Sequence, residues 1–407
     1  MPFSDWFRRV TSGPEADRPW ARKSVLIIAI SAALVVIAGV AVLLVGPGGL
    51  TLRATSVADG QGGSTSSAPP APAIQVTSVT PGSNASGVNG TSPIQVGFSA
   101  PLAADSPMPT LSPSVAGSWK VTGSVATFTP AVGIPGDTTV TVAIPGGSTG
   151  MRSAAGEKAG RGGNLAAGFT GKFSTASYST LRLEQLLAQL NYLPLTWTPS
   201  GSTVQPTDAA GQVAAAYSPP AGTFSWEGGY PSMLGRLWAE GTGNRILTGA
   251  VRAFQSEQGL TMDGVAGPTV WSALLTAVAA GHANANGYTY AVASQSEPET
   301  LTIWHDGREV LQSPANTGIP GAPTANGTFP VYERLASQIM QGTNPDGSHY
   351  ADPVSWVSYF DGGDAVHYFP RYSYGFPQSL GCVELPYTQA KTAYEYLSYG
   401  SLVTVTG

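Results

Sequence analysis

The chain has 407 residues, a formal net charge of −5 and only 11% charged side chains, against about 25% in a typical globular domain. This length predicts two or three domains. A nucleic-acid groove is not expected, because the net charge is negative and no run of Lys or Arg follows the apolar N-terminal stretch.

An apolar stretch at residues 24–46 carries no charged side chain. A helix of this length can span a bilayer core of about 30 Å. Basic residues flank it unevenly: Arg8, Arg9, Arg18, Arg22 and Lys23 precede it, and Arg53 follows. The positive-inside rule therefore predicts a cytoplasmic segment at 1–23, a single-pass anchor in the cell membrane and an extracytoplasmic body that faces the cell wall. A cleaved signal peptide and a buried core helix are the alternatives.

Two segments of different character follow the apolar stretch. Residues 47–73 are rich in small residues and proline, which predicts a flexible linker. Residues 74–176 alternate short strand patterns with turn-rich segments, which predicts an antiparallel β-sandwich. The strings TPGSNASGV, IQVGFSAPL, SWKVTGSVATFTP and TTVTVAI resemble bacterial immunoglobulin-like domains. The resemblance implies a spacer, with binding of a wall polymer as the alternative.

Residues 178–280 change to helical periodicity. Two apolar stripes have helical spacing: Leu183, Leu186, Leu187 and Leu190, and Ile246, Ala250, Val251 and Phe254. A third helix is predicted to begin at Pro268. The string AVRAFQSEQGLTMDGVAGPTVWSALL resembles the peptidoglycan-binding domain of bacterial wall hydrolases, which implies a small three-helix module. An aromatic, Pro-rich insertion at 194–240 is expected either to pack across this module or to line a binding face.

Residues 287–407 return to strand patterns, with one short helix predicted in TQAKTAYEYLS. This stretch contains Cys382, the only cysteine of the chain. One cysteine cannot form an intramolecular disulfide, so it is either a buried inert thiol or a reactive one. A reactive cysteine needs a base, backbone N–H groups that face the developing oxyanion, and access to substrate.

Four histidines are candidates for the base, and His367 has the best position in the sequence. It lies in an apolar strand, DAVHYFP, just before the loop that holds Cys382. A histidine in a strand is often a packed core residue, so both interpretations stay open at this point. The other three lie in an apparent linker, a strand-turn tip and a polar loop: His282, His305 and His349. Gly381 permits a tight turn in which successive N–H groups can converge on an anion.

Three strings, NTGIPGAPTANGTFPV, SYFDGGDAVHYFP and SLGCVEL, resemble the L,D-transpeptidase catalytic domain over essentially all of residues 287–407. That family has a strand ending in the catalytic histidine, followed by a Ser-His-Gly-Cys loop. The resemblance implies a mainly-β domain with four catalytic positions: Cys382, His367, Ser379 and Gly381. Five neighbouring residues are expected to contact substrate: Tyr359, Phe360, Tyr368, Leu380 and Glu384.

The resemblance also implies a reaction on peptidoglycan. Cys382 attacks the bond between meso-diaminopimelate and the terminal D-Ala of a tetrapeptide stem, and the diaminopimelate amine of a second stem resolves the thioester. Water as the acceptor gives a carboxypeptidase, and inhibition by carbapenems is expected. The N–H groups of Gly381 and Cys382 are expected to hold the oxyanion, and His367 to donate a hydrogen bond to a backbone carbonyl. No cofactor or metal is predicted, because the Cys–His pair supplies both nucleophile and base.

The chain departs from the family pattern at three positions. Leu380 stands where the family has histidine, and it cannot donate a hydrogen bond or help to charge the thiolate. Glu384 replaces the usual Asn or Arg, and Tyr368 replaces a small residue. A carboxylate at 384 would raise the pKa of the thiol if it faced Cys382, although a turn is expected to separate the two. A second hypothesis is therefore a weak or inactive homologue that serves as a peptidoglycan-binding wall scaffold. A third is a purely structural surface protein.

Overall fold

The computed structural model describes residues 73–154 and 163–407. The predicted cytoplasmic segment (1–23), the predicted span (24–46) and nearly all of the predicted linker (47–73) lie outside the described residues.

The described residues contain no helix that is both long and apolar enough to cross a membrane. Their longest helices have 13 residues, which at 1.5 Å per residue is about 20 Å and falls short of a bilayer core of about 30 Å. The fold class predicted above included a transmembrane helix, and it is corrected to a mainly-β multidomain structure for the described residues. The predicted single-pass membrane localisation is corrected as well, because no described helix can form such a span.

Residues 73–154 and 163–176 form a two-layer β-sandwich. Its strands are β1 Val76–Thr80, β2 Ala85–Val88, β3 Ile94–Phe98, β4 Thr110–Ser112, β5 Gly117–Thr122, β6 Val125–Pro130, β7 Thr139–Ile144 and β8 Phe169–Thr175. They pair in two four-stranded sheets, in the orders β1-β3-β6-β5 and β2-β8-β7-β4. Alternate residues of β7, Val140, Val142 and Ile144, are buried between the sheets, as the two-residue period of a half-buried strand requires.

The next region has five helices and a two-stranded ribbon. Its elements are α1 Thr180–Gln189, β9 Leu195–Pro199, α2 Ala209–Tyr217, β10 Gly222–Trp226, α3 Ser232–Gly235, α4 Arg245–Glu257 and α5 Pro268–Ala280. The prediction of a three-helix module is therefore wrong. The insertion at 194–240 contributes the ribbon β9–β10 and two further helices, because its aromatic side chains pack on the module. Phe224 and Trp238, for example, pack against the hydrophobic cluster that contains Leu186 and Phe254.

The C-terminal domain contains two sheets and one helix. Its strands are β11 Thr289–Ser294, β12 Thr300–His305, β13 Arg308–Pro314, β14 Gly327–Pro330, β15 Glu333–Thr343, β16 His349–Asp361, β17 Asp364–Tyr368, β18 Val383–Leu385 and β19 Leu402–Thr406, with α6 at Tyr387–Tyr396. The sheet orders are β13-β12-β11-β19-β14 and β15-β16-β17-β18. Helix α6 contacts strands of both sheets, and its Ala390 and Ala393 are fully buried in their common core.

The helical region and the C-terminal domain share one hydrophobic core. Tyr290 and Leu402, from β11 and β19, lie in the same buried cluster as Phe254 of α4. Helix α4 approaches the domain at Gly249, where a Cβ would lie 2.5 Å from the carbonyl oxygen of Gly400. Only a residue without a side chain permits this approach, so the two regions are packed as one body.

Replacing Gly249 with alanine is expected to destabilise the protein by about 1–3 kcal/mol, because the added methyl group overpacks this contact. In an uncrowded helix the same change stabilises by roughly 0.5–1 kcal/mol, so the sign of the change tests the packing. Denaturant unfolding measures it, with Gly243→Ala as the control, since nothing lies within 4 Å of a Cβ at Gly243. A higher midpoint for Gly249→Ala would contradict the shared core.

Candidate active site

Two parallel strands bring Cys382 and His367 onto the same face of a sheet. Strand β17 carries His367, and Cys382 immediately precedes β18. The parallel register pairs His367 with Glu384, and two residues earlier the same register sets Ala365 beside Cys382. Alternate residues of a strand point to the same side. The thiol therefore lies on the face that carries the imidazole, and Cys382 packs in a cluster with Ala365.

The ring of His367 is held in one orientation by the backbone. Its side chain is buried, with 3% of the residue exposed, and Nδ1 lies 3.0 Å from the carbonyl oxygen of Tyr368. A carbonyl only accepts, so Nδ1 carries the proton and Nε2 has the free lone pair. This is the hydrogen bond that the sequence predicted. Burial lowers the pKa of His367, and a neutral ring can accept a proton at Nε2.

The thiol of Cys382 is partly buried and has an acidic neighbourhood. Its Sγ lies 3.8 Å from the carbonyl oxygen of Gly363, in the turn before β17. Desolvation raises the pKa of the thiol to about 12; the backbone N–H of Ala365 opposes this shift, and the charges of Asp364 and Glu384 add to it. The thiol therefore stays protonated at neutral pH. A base must remove its proton as the sulfur attacks.

The loop before Cys382 is fixed by Ser379. The Oγ of Ser379 accepts the N–H of Gly381 at 3.2 Å and donates to the carbonyl oxygen of Cys382 at 2.6 Å. Gly381 has φ of +116°, and a Cβ there would lie 2.3 Å from the carboxylate of Asp364, so only glycine fits. The N–H of Gly381, which was expected to hold an oxyanion, is engaged by Ser379 in this structure.

Glu384 is the buried partner of an ion pair with Arg371, whose own side chain is partly exposed. Only 4% of Glu384 is exposed, and its two carboxylate oxygens accept from Nε and Nη2 of Arg371, each at 2.8 Å. A turn was expected to separate Glu384 from Cys382, but the register with β17 sets both on the face that carries His367. The charge of Glu384 accordingly adds to the raised pKa of the thiol. Sequence reasoning missed Arg371. The available signal was that Arg371 is the only basic residue between His367 and Cys382.

A second buried carboxylate supports the loop from below. Glu299 is fully buried and accepts the backbone N–H of Thr317 at 2.5 Å and its hydroxyl at 2.6 Å. The carbonyl oxygen of Thr317 in turn accepts the N–H of Ser379 at 2.9 Å. Glu299 therefore positions the loop before Cys382 through one intermediate residue, Thr317. No local pattern in the sequence indicated this role.

The residues predicted to contact substrate lie in different surroundings. Tyr359 packs in the same cluster as Cys382, so the structure brings it to the thiol. Leu380 is partly exposed in the loop, and Tyr368 is partly buried beside His367. Phe360 is 3% exposed and packs in the core between the sheets, where it supports β16 rather than facing the thiol.

Family comparisons agree with this geometry. Residues 288–405 match the family model of YkuD, the L,D-transpeptidase catalytic domain. The C-terminal domain is an L,D-transpeptidase catalytic domain. Upstream of the transpeptidase domain, residues 70–175 match a bacterial Ig-like domain and residues 239–274 match a peptidoglycan binding domain. Among curated proteins, none matches this chain in sequence.

Several solved structures of L,D-transpeptidases are similar to this chain. LdtMt1 in complex with imipenem is 16% identical, over 82% of this chain and 100% of that chain, with a TM-score of 0.28. An L,D-transpeptidase from Mycobacterium smegmatis is 15% identical, over 82% and 99%, with a TM-score of 0.28. The catalytic domain of the E. faecium enzyme is 26% identical, over 29% and 96%, with a TM-score of 0.27. The family match, not these likenesses, identifies the transpeptidase domain.

Replacing Asp364 with asparagine is expected to lower the pKa of the Cys382 thiol, because the charge of Asp364 opposes the thiolate. The pH dependence of alkylation by iodoacetamide measures this shift, since only the thiolate reacts. Glu184→Gln is the matched control: burial raises the pKa of both Asp364 and Glu184 to about 7, but Glu184 lies on α1, in the helical region. If Asp364→Asn left the pH dependence of alkylation unchanged, Asp364 would not be a cause of the raised thiol pKa.

Proposed function

We propose that this protein is a cysteine-dependent L,D-transpeptidase that cross-links peptidoglycan. One observation supports this most. A neutral, buried His367 and the only cysteine of the chain lie on one face of two paired strands, within a domain that matches the L,D-transpeptidase family. The match of residues 239–274 to a peptidoglycan binding domain supports the same substrate.

In the first half of the proposed reaction, Cys382 Sγ attacks the carbonyl carbon between diaminopimelate and the terminal D-Ala of a tetrapeptide stem. Nε2 of His367 takes the thiol proton as the bond forms. Ser379 Oγ already accepts the N–H of Gly381, so we assign the oxyanion to the N–H of Cys382. The C–N bond then breaks, His367 gives its proton to the departing D-Ala amine, and a thioester remains.

In the second half, the diaminopimelate amine of another stem attacks the thioester. The neutral His367 takes a proton from this amine, the C–S bond breaks and the proton returns to the sulfur. A high thiol pKa suits this order of events, because the base is neutral and the thiol protonated at the start of each turnover. Water in place of the amine would hydrolyse the thioester.

Carbapenem acylation tests the proposal, since imipenem is bound in one of the similar structures. We expect intact-mass spectrometry to show one carbapenem adduct on the wild-type protein and none on Cys382→Ala. His367→Ala should slow acylation by about 10²–10⁴-fold, the usual contribution of a general base. His349→Ala, an exposed histidine at the start of β16, should acylate at the wild-type rate. An unmodified wild-type protein with a free thiol would refute the enzyme.

The second candidate function is a catalytically weak or inactive homologue that holds the wall as a scaffold. Two observations favour it: Leu380 stands where the resembled family has histidine, and the thiol pKa is raised to about 12. This candidate keeps peptidoglycan as the ligand and removes the cross-linking step.

Leu380→His separates the two candidates. A loop that has lost its function should gain more than about tenfold in acylation rate when a polar, proton-carrying side chain is restored. For the active enzyme proposed above we expect no such gain, because the loop is already held by Ser379. Leu380→Met, which keeps the apolar character, is the control. The rate of carbapenem acylation of each variant gives the comparison.

A further inference from the structure

A cavity of about 280 Å³ lies in the helical region. It is lined by residues of α1, of β9 with the loop that follows, and of the segment before β10, among them Arg182, Trp197, Thr203 and Pro220. All of these precede residues 239–274, the part that matches the peptidoglycan binding domain. The cavity therefore lies between α1 and the inserted elements, and the reaction proposed above does not use it.

Arg182 is a buried cation without an anion. The residue is 3% exposed, and its terminal nitrogens donate only to neutral amides, to Gln185 Oε1 at 3.0 Å and to Gln212 Oε1 at 2.9 Å. Its Nε is buried and has no partner. In the described part of the chain, no carboxylate lies within ion-pair distance of this guanidinium. Burial lowers the pKa of Arg182 to about 10, and an unpaired buried charge is costly.

The guanidinium is also held in a fixed position. The side-chain amide of Gln185 donates to the carbonyl oxygen of Pro220 at 2.9 Å, and that of Gln212 donates to the carbonyl oxygen of Gln205 at 3.1 Å. Each glutamine therefore presents its oxygen to Arg182. Two backbone segments at the cavity fix the cation before any ligand arrives, which lowers the entropic cost of binding.

Trp197 gives the cavity an aromatic wall. Its indole lies across Gly222, where a Cβ would be 2.5 Å from Nε1, and the side chain is partly exposed. An indole face of this kind suits a ligand that has an aliphatic or sugar surface next to its polar group. Arg182 is the only charged residue among the lining residues in the described part of the chain, which favours a monoanion over a phosphate dianion.

We propose that this cavity binds a carboxylate of a peptidoglycan stem peptide, with Arg182 as the cation and Trp197 as the apolar wall beside it. The identity of the ligand rests on the proposed function, while the presence of the anion site rests on Arg182 alone. The guanidinium has five N–H donors in a fork that matches a carboxylate. Nε is the one of these donors that is buried without a hydrogen-bond partner.

Calorimetric titration tests the site in the full chain that carries Cys382→Ala, so that no acylation competes with binding. The probe is a muropeptide, the disaccharide tetrapeptide of peptidoglycan. Adding Arg182→Met should weaken binding by about tenfold or more, the value of a lost charge-assisted hydrogen bond. Adding Arg236→Met, at an exposed arginine of the same region, should leave binding unchanged. Equal affinity of the Arg182→Met and parent proteins would overturn the proposal.

Three further measurements complete the test. The same muropeptide with its carboxylates amidated should bind the parent protein as weakly as the native muropeptide binds Arg182→Met. Equal affinity of the parent protein for the amidated and native forms would overturn the carboxylate assignment. Inorganic phosphate should not compete, and competition at the affinity of the muropeptide would overturn the stem assignment. If Arg182→Met does not fold, Thr203→Trp fills the exposed mouth instead. Weaker binding then supports the site, and unchanged binding overturns it.

The outcome is separable from that of the proposed function. Binding by the Cys382→Ala chain, together with no carbapenem adduct on the wild type, would reject the enzyme and keep the carboxylate site. An adduct on the wild type without Arg182-dependent binding would reject the site and keep the enzyme.

Discussion

The parallel pairing of β17 and β18 is the constraint on which the candidate active site depends. One strand carries His367, and the other begins directly after Cys382, so the relative position of base and thiol follows from a backbone register. A slip of one residue would turn every side chain of the slipped strand to the opposite face. Two hydrogen bonds from Arg371 to the carboxylate of Glu384 tie the segment between β17 and β18 to β18 itself. They therefore oppose such a slip.

This pairing also sets the electrostatics of the site. It places Glu384 beside His367, and the first residue of β17, Asp364, adds a second carboxylate whose charge acts on the thiol. Both carboxylates oppose a thiolate, and burial opposes an imidazolium. The resting pair is therefore neutral, and in the proposed reaction charge develops only when a substrate supplies a carbonyl to be attacked. A preformed thiolate–imidazolium pair would need the opposite surroundings.

Sequence patterns predicted those parts of the molecule whose cause is local. The alternation of apolar residues indicated the strands of the β-sandwich, and helical spacing indicated α1 and α4. The positions of Cys382 and His367 followed from matching strings. The ribbon β9–β10 was missed because its two short strands are separated by α2, so no continuous period marks a hairpin.

Long-range polar contacts were also beyond local patterns. Glu299 reaches Thr317 across 18 positions of sequence, and Arg371 reaches Glu384 across 13. Neither interval corresponds to a helical or strand period, since both contacts depend on how separate segments of the chain meet in space. The surroundings of Arg182 were missed for the same reason, because one of its two glutamine partners, Gln212, lies on another helix, α2.

The raised thiol pKa has a consequence for chemical survival. Peroxides oxidise thiolates, and susceptibility follows the thiolate fraction of a cysteine. With a pKa of about 12, Cys382 has almost no thiolate at neutral pH. A protein with one cysteine has no second thiol in the same chain with which a sulfenic acid could condense. Burial, with a smaller contribution from the two carboxylates, thus keeps the sulfur in its protonated, less oxidisable form.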